Sequence, residues 1–322
     1  MGQRRVGQLG LLDAAVSHRK PRRADVLDEI GGLLDWAAFE RQLAVIPVAA
    51  KGEPSFPAIM MFKALLLQRW YGLSDPAMEA ALFDRLSFQR FVGLSLDDET
   101  PDHSTIWRFR ERLAKRGLIE ELFAELQRQL DAHGFLIKQG TLIDASMVTS
   151  AARRPRKEDG TTSRVDPDAR FGADNERRRF TFGYKMHVAV DQGTGLIRSG
   201  RLTAANIQDV SVAPDLLPPR AGTVYADRGY HSRSLRELLA QKGFGDGVMR
   251  RAHKTTPLTA VEVARNHALV PLRSPVEAVF GTLKRSYGFT RMRYFNAARN
   301  LTAFLLACMA YNLKRSLKLR FA

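Results

Sequence analysis

The sequence predicts an α/β protein: a mixed sheet flanked by helices, preceded by an all-helical N-terminal domain. Three observations predict it. Apolar residues recur at helical spacing from about residue 25 to 135. From Gly140 the period changes to short β-branched and aromatic runs that alternate with helical segments. From Val276 onward the pattern is helical again.

Residues 1–24 form a polar, basic leader without a strong period, expected to be flexible. Residues 25–135 read as the helical domain. Leu33, Leu34, Trp36 and Phe39 cluster at helical spacing, and residues 47–57 form a connector holding Gly52, Pro54 and Pro57. Pro57 opens a helix that ends at Tyr71 before Gly72; proline just inside the start and glycine just past the end are helix punctuation. Helices over Asp75–Arg85 and Ser87–Val92 follow, the latter stopped by Gly93. Asp102 or Ser104 caps the next helix by accepting orphan backbone donors. Arg108 and Arg112 share one face of it, while Ile106, Phe109 and Leu113 share another. A short capped helix with outward arginines is similar to the second helix of a helix-turn-helix, and a plain packing role is the alternative. Glu120–His133 continues as helix to Gly134.

Residues 136–322 read as the second domain. Gly140–Met147, Phe182–Val190, Gly195–Leu202 and Thr223–Ala226 are strands, with a hairpin-like turn at Asp191–Gly195. Gln208–Leu216 and Ser234–Lys242 are helices, Gly243–Met249 a last strand, and Val276–Arg285 and Ala297–Leu319 the final helices. Residues 151–181 interrupt the pattern as a long polar loop of nine basic and six acidic residues. Such a loop in a compact domain is functional or disordered.

Composition narrows the function. The chain has 322 residues, Lys plus Arg number 50 against 34 Asp plus Glu, and the formal net charge is +16. That balance favours a polyanionic partner. The most apolar run, residues 301–310, is too short to span a bilayer, and the N-terminus lacks the apolar segment of a secretory signal. The single cysteine, Cys308, sits among apolar neighbours, which favours an inert buried thiol and a reducing, cytoplasmic setting. The charge is concentrated: residues 273–320 hold ten basic residues and one acid, Glu277.

Three acids carry the expected chemistry. Asp144 ends the apolar run Gly-Thr-Leu-Ile, and Asp227 ends Thr-Val-Tyr-Ala. Adjacent strands would place the two side by side beyond their carboxyl ends, where they repel unless a cation neutralises them. Mg²⁺ suits such a pair, since it takes oxygen ligands and few carboxylates plus substrate phosphates. Glu277 and Lys284 lie on one helix face with Gly281 between, opposite the apolar stripe Val276, Val279, Phe280 and Leu283. Arg273 precedes Glu277 by one turn if the helix extends back past Pro275, which the sequence leaves open. Two metal ions there can activate an attacking oxygen and stabilise the leaving one without a protein nucleophile.

At these residues the chain resembles the DDE-type insertion-sequence transposases, specifically the insertion-sequence-five family. The matching landmarks are Leu-Ile-Asp144-Ala-Ser, Gly183-Tyr-Lys185-Met-His187, Tyr-Ala-Asp227-Arg228-Gly-Tyr230, and Arg273, Glu277 and Lys284 at their spacing. The segment from Asp102 to Arg110 and the ending Ala310-Tyr-Asn-Leu-Lys-Arg add to the resemblance. Where the related signature often has tyrosine three positions before the arginine, this chain has Val270. The resemblance implies an RNase H-like catalytic domain, with Asp144, Asp227 and Glu277 as catalytic, metal-binding acids for two Mg²⁺ ions, Mn²⁺ substituting. It implies Arg273 and Lys284 on DNA phosphates.

Lys185 and His187, alternating on one strand face, are expected either as DNA contacts or as a surface strand edge. Arg228, Tyr230 and His231, just past Asp227, are further candidates for DNA contact. His253 is assigned to a basic, phosphate-facing loop. The expected function is metal-dependent cleavage at insertion-element ends followed by strand transfer into double-stranded target DNA, by a homodimer, since transposition must pair two ends. A metal-dependent nuclease without strand transfer, or a non-catalytic DNA-binding descendant, are the alternatives.

Overall fold

A computed structural model describes residues 3–8, 10, 13, 25–47, 53–156, 160, 162–174, 179–252 and 256–320. The chain divides into two compact units: residues 1–132 with 305–322, and residues 133–304.

The first unit is helical. Its helices are α1 (Val26–Leu33), α2 (Trp36–Leu43), α3 (Ala58–Tyr71), α4 (Asp75–Asp84), α5 (Leu86–Val92), α6 (His103–Arg116) and α7 (Ile119–Ala132). Local signals set the starts. Asp25, Asp35, Ser74 and Asp102 each accept an amide hydrogen bond from the first turn of the helix they precede. Phe39, Phe62, Leu65, Phe88 and Leu122 are buried in the core. One polar network lies within it. The guanidinium of Arg110 donates two bonds to the Asp75 carboxylate, at 2.7 and 2.6 Å, and Gln68 donates a third at 2.5 Å. The sequence reading gave the last helix wholly to the second domain, yet residues 305–322 group with this unit. Lys314 there donates to the Trp70 carbonyl at 2.8 Å. The leader is held where it is described: Gln3 bridges to Ser55, Arg4 bonds the Pro54 carbonyl at 2.9 Å and pairs with Glu53 and Glu99. Its residues 14–24 lie outside the described residues.

The second unit is built on a six-stranded sheet: β1 (Gly140–Thr149), β2 (Arg170–Asp174), β3 (Arg179–Asp191), β4 (Ile197–Ala204), β5 (Thr223–Ala226) and β6 (Gly245–Val248). β1 is central, antiparallel to β3 on one side and parallel to β5 on the other, with β6 parallel beyond β5. β2 and β4 pair with successive halves of the far edge of β3. Gly183 sits at the changeover. A Cβ there would fall 2.2 Å from the Val148 carbonyl oxygen and 2.6 Å from the Ser150 amide, so only glycine admits the close backbone approach. An antiparallel meander leading into parallel strands, with helices packed on it, is the RNase H-like arrangement.

Helices α8 (Asp209–Leu216) and α9 (Arg233–Gln241) share one core with a sheet face: Ile143, Ala189, Val224, Ala226 and Val248 pack with Val212, Leu216, Leu235 and Leu239. Helix α10 (Ala260–Ser286) packs on β1 and β5, burying Val276, Val279, Phe280 and Leu283. The last helix, α11, spans Ala297–Arg320. The polar loop after β1 is ordered at its described ends. Asp166 is fully buried and accepts from Ser150 Oγ at 2.5 Å, from the Asn296 amide at 2.9 Å and from the Tyr184 hydroxyl.

Candidate active site

Side chains alternate across a strand, so Asp144 faces away from the side on which its neighbour Ile143 joins the α8 and α9 core. On that other side Arg273 of α10 donates from Nη2 to Asp144 Oδ2 at 3.2 Å, and the Ala145 amide donates to Oδ1 at 2.8 Å. β5 runs parallel to β1 with Leu142 opposite Tyr225. Carrying that register two residues on brings Asp144 level with Asp227, just past the end of β5. Asp227 caps a single 3₁₀ turn, Arg228–Tyr230, accepting from the Gly229 amide at 2.9 Å. A Cβ at position 229 would lie 3.0 Å from Asp227 Oδ1, which explains the glycine.

The electrostatics follow from this crowding. Burial pushes the Asp144 carboxyl up to about 7; Arg273 pulls it back, and the charges of Asp227 and Asp209 raise it further. Asp209, the first residue of α8, is therefore a third carboxylate in the neighbourhood. It was not singled out from sequence, although an acid opening a helix after a strand is a visible signal. Burial also raises the Tyr230 hydroxyl well above its ordinary value, with Asp209, Asp144 and Asp227 adding to it and Arg273 opposing.

Helix α10 runs unbroken through Pro271 and Pro275, so Arg273 does precede Glu277 by one turn. A capping box between Thr259 and Glu262 starts it. Arg265 then donates to the carbonyls of Val248 and Asp246 at 2.7 and 2.6 Å, tying it to β6. The helix then continues past the two positions where proline removes an amide donor. Arg273 is directed at Asp144, not outward at a phosphate, and its side chain is only 13% exposed. Glu277 is exposed and Lys284 half-buried.

Several expected DNA contacts are buried instead. His187 is fully buried, with Nε2 at 2.9 Å from Thr203 Oγ1. Burial and then the Lys185 charge lower its pKa to about 3, so its ring is neutral. Lys185 is 8% exposed; its Nζ lies 2.7 Å from Asp209 and donates to the Ile207 carbonyl at 2.8 Å. The reason is register. Lys185 and His187 alternate in phase with Ala189, whose side is covered by α8 and α9. Tyr230 is likewise fully buried, in the same core. Of the residues after Asp227, Arg228 is exposed and His231 half-buried. In the helical unit Arg108 and Arg112 are exposed, as expected. His253 lies outside the described residues.

Among the described residues, no three acidic, histidine or cysteine side chains form a ready cage for a metal ion. Asp144 and Asp227 nonetheless suit a hard divalent cation: they offer oxygen donors from neighbouring segments, Asp144 midway along β1 and Asp227 just past β5, and the Asp227 charge disfavours ionisation of Asp144 until a cation is present. Mg²⁺ commonly takes one or two carboxylates and completes its shell with water and phosphate oxygens.

Residues 136–313 match the family model described as transposase DDE domain, and residues 15–112 match a second, described as transposase domain (DUF772). A cryo-EM structure of a piggyBac transposase synaptic complex with hairpin DNA aligns over 89% of this chain and 72% of that chain, at 12% identity and a TM-score of 0.42. No helix among the described residues is long and apolar enough to cross a membrane.

Proposed function

We propose that this chain, which belongs to the DDE transposase family, cuts DNA at the ends of an insertion element and joins those ends to target DNA. Its place within the insertion-sequence-five subdivision is part of the same proposal. The observation that carries it is the placing of Asp144, midway along β1, level with Asp227, just past the end of the parallel strand β5, with Arg273 on Asp144, within the matched domain.

Asp144 and Asp227 would hold divalent ions, Mg²⁺ or Mn²⁺ in its place, with Glu277 as the third acid. Such ions, when bound, polarise the phosphodiester and lower the pKa of an attacking hydroxyl. The chain's own residues do the rest. Gly229 lets Asp227 bond its own turn, which fixes the carboxylate. Arg273 gives Asp144 a partial counter-charge before substrate arrives. The exposed Arg228 and the half-buried Lys284 are the cations that border DNA phosphates. Arg108 and Arg112 give the helical unit its own DNA-facing surface. A homodimer on paired ends completes the reading.

The test separates chemistry from binding. Asp144→Asn, Asp227→Asn and Glu277→Gln are each expected to abolish Mg²⁺-dependent nicking of end-containing duplex while retaining duplex binding. Incubating pre-cleaved ends with a target plasmid is expected to give joined products. Near-normal nicking by any of the three variants refutes the assignment of that acid, and nicking without joined products reduces the enzyme to a nuclease.

A further inference from the structure

The polar segment that follows β1 encloses a cleft of about 640 Å³. Its lining includes Arg153, Arg154 and Arg156 from one side of the segment and Thr162, Ser163 and Arg164 from the other. Four arginines thus line one space. Among the described residues none of them makes an ion pair with a carboxylate. Arg154 is held by stacking, with its guanidinium 5.0 Å from the centre of the Phe171 ring. The other three end in solvent.

Hydrogen bonds hold the described residues beside this cleft. Ser163 Oγ accepts from the amides of Val165 and Asp166, at 3.2 and 3.3 Å, which leaves its hydroxyl proton to donate elsewhere. Asp166 is the buried hub described above. Arg291 fastens the start of the segment, donating to the carbonyls of Ser150 and Ala151 at 3.1 and 2.7 Å. Like charges brought together repel, and an anion bound among them relieves the repulsion. Guanidiniums match phosphate oxygens through paired N–H donors, and hydroxyls from Ser163 and Thr162 complete such a set.

We infer that this cleft binds the phosphodiester backbone of a DNA duplex, apart from the catalytic acids and apart from Arg108 and Arg112. The inference rests on the reading of the chain as a DNA-processing enzyme and extends it with a further binding site. Four clustered arginines can neutralise three or four phosphates. Each such contact adds about 0.9 to the slope of log affinity against log salt.

The experiment uses the full-length protein. Arginine-selective chemical modification followed by peptide mass spectrometry is run alone, with a duplex, and with inorganic phosphate at the same phosphate concentration. Duplex is expected to protect Arg153, Arg154, Arg156 and Arg164 at least fivefold, and inorganic phosphate much less. In parallel, the Arg153→Gln, Arg154→Gln, Arg156→Gln, Arg164→Gln variant is expected to lose about three units of salt slope and at least tenfold in duplex affinity. Duplex binding with these four arginines unprotected and the slope unchanged overturns the inference alone. Equal protection by inorganic phosphate also overturns it, leaving a simple anion pocket. Failure of the protein to bind duplex at all removes the DNA-processing reading as well. The protection arm needs no variant, so a misfolded variant leaves the question decided.

Discussion

Arg273 and Asp144 are joined by a 3.2 Å hydrogen-bonded ion pair between α10 and the central strand β1. The pair gives the buried carboxylate a counter-charge, but not enough of one: burial still holds the Asp144 pKa near 7, up from 3.8. Asp144 therefore binds its proton more tightly folded than unfolded. Its contribution to stability is full below about pH 4 and is lost as pH rises through about 7. Without divalent ions, Asp144→Asn should gain on the wild type between pH 5 and pH 8, by on the order of 2 kcal/mol. Urea denaturation at the two pH values measures this, and a pH-independent difference would show that Asp144 is not strained.

The same raised pKa sets the pH dependence of metal binding. A proton and a divalent ion compete for Asp144, so Mn²⁺ affinity should fall about tenfold per pH unit below about pH 7. Calorimetric titration of the wild type checks it. Affinity that stays level down to pH 5 would mean the ion does not use this carboxylate.

Gly229→Ala puts a methyl group against Asp227 Oδ1. The carboxylate must turn, and the cleavage rate is expected to drop roughly ten- to a hundredfold. Duplex affinity should hold, because the change touches no cation. Single-turnover nicking and a binding isotherm on the same preparation separate the two effects.

In the helical unit, burial would raise the pKa of Asp75, but hydrogen bonds from Arg110 and Gln68 outweigh it and hold it below the ordinary range. Its contribution is present above the unfolded pKa and is lost as pH falls through the lower folded value. Arg110→Ala strands the carboxylate and should cost about 3 kcal/mol at neutral pH. It should also move the onset of acid unfolding to higher pH. A variant with unchanged acid sensitivity would contradict the role given to this pair.

Arg108 and Arg112 stand exposed one turn apart on α6. Replacing both with glutamine should weaken duplex binding several-fold and lower the salt slope by about two units. Thermal stability should not change, since neither side chain is buried. Undiminished affinity would return the helix to a packing role.

Much of this was legible in the chain itself. Pro57 and Gly72 bracket α3, and Asp102 caps α6, because those signals act within a turn or two of backbone. Asp144 and Asp227 stand out as acids ending apolar runs, and register makes them neighbours, although β1 continues to Thr149 through its pairing with β3, so that Asp144 lies mid-strand and not beyond a strand end. β2 was missed because it is short and lies in a polar, charge-mixed segment, where pairing with β3 supplies what local pattern does not.

Tertiary structure decided the rest. Two prolines ordinarily end a helix, yet α10 continues through both, its first half fastened by Arg265 and Asn266 to the end of β6 and the residues just after, and its second half packed on β1 and β5. Lys185, His187 and Tyr230 look like surface residues in sequence and are buried, because α8 and α9 cover that side of the sheet. Asp209 and Arg273 lie far along the chain from Asp144, and only folding brings their charges to bear on it. A sequence fixes which backbone conformations are cheap over a few residues. Which side chains lose water, and which charges meet, depends on partners supplied by distant segments.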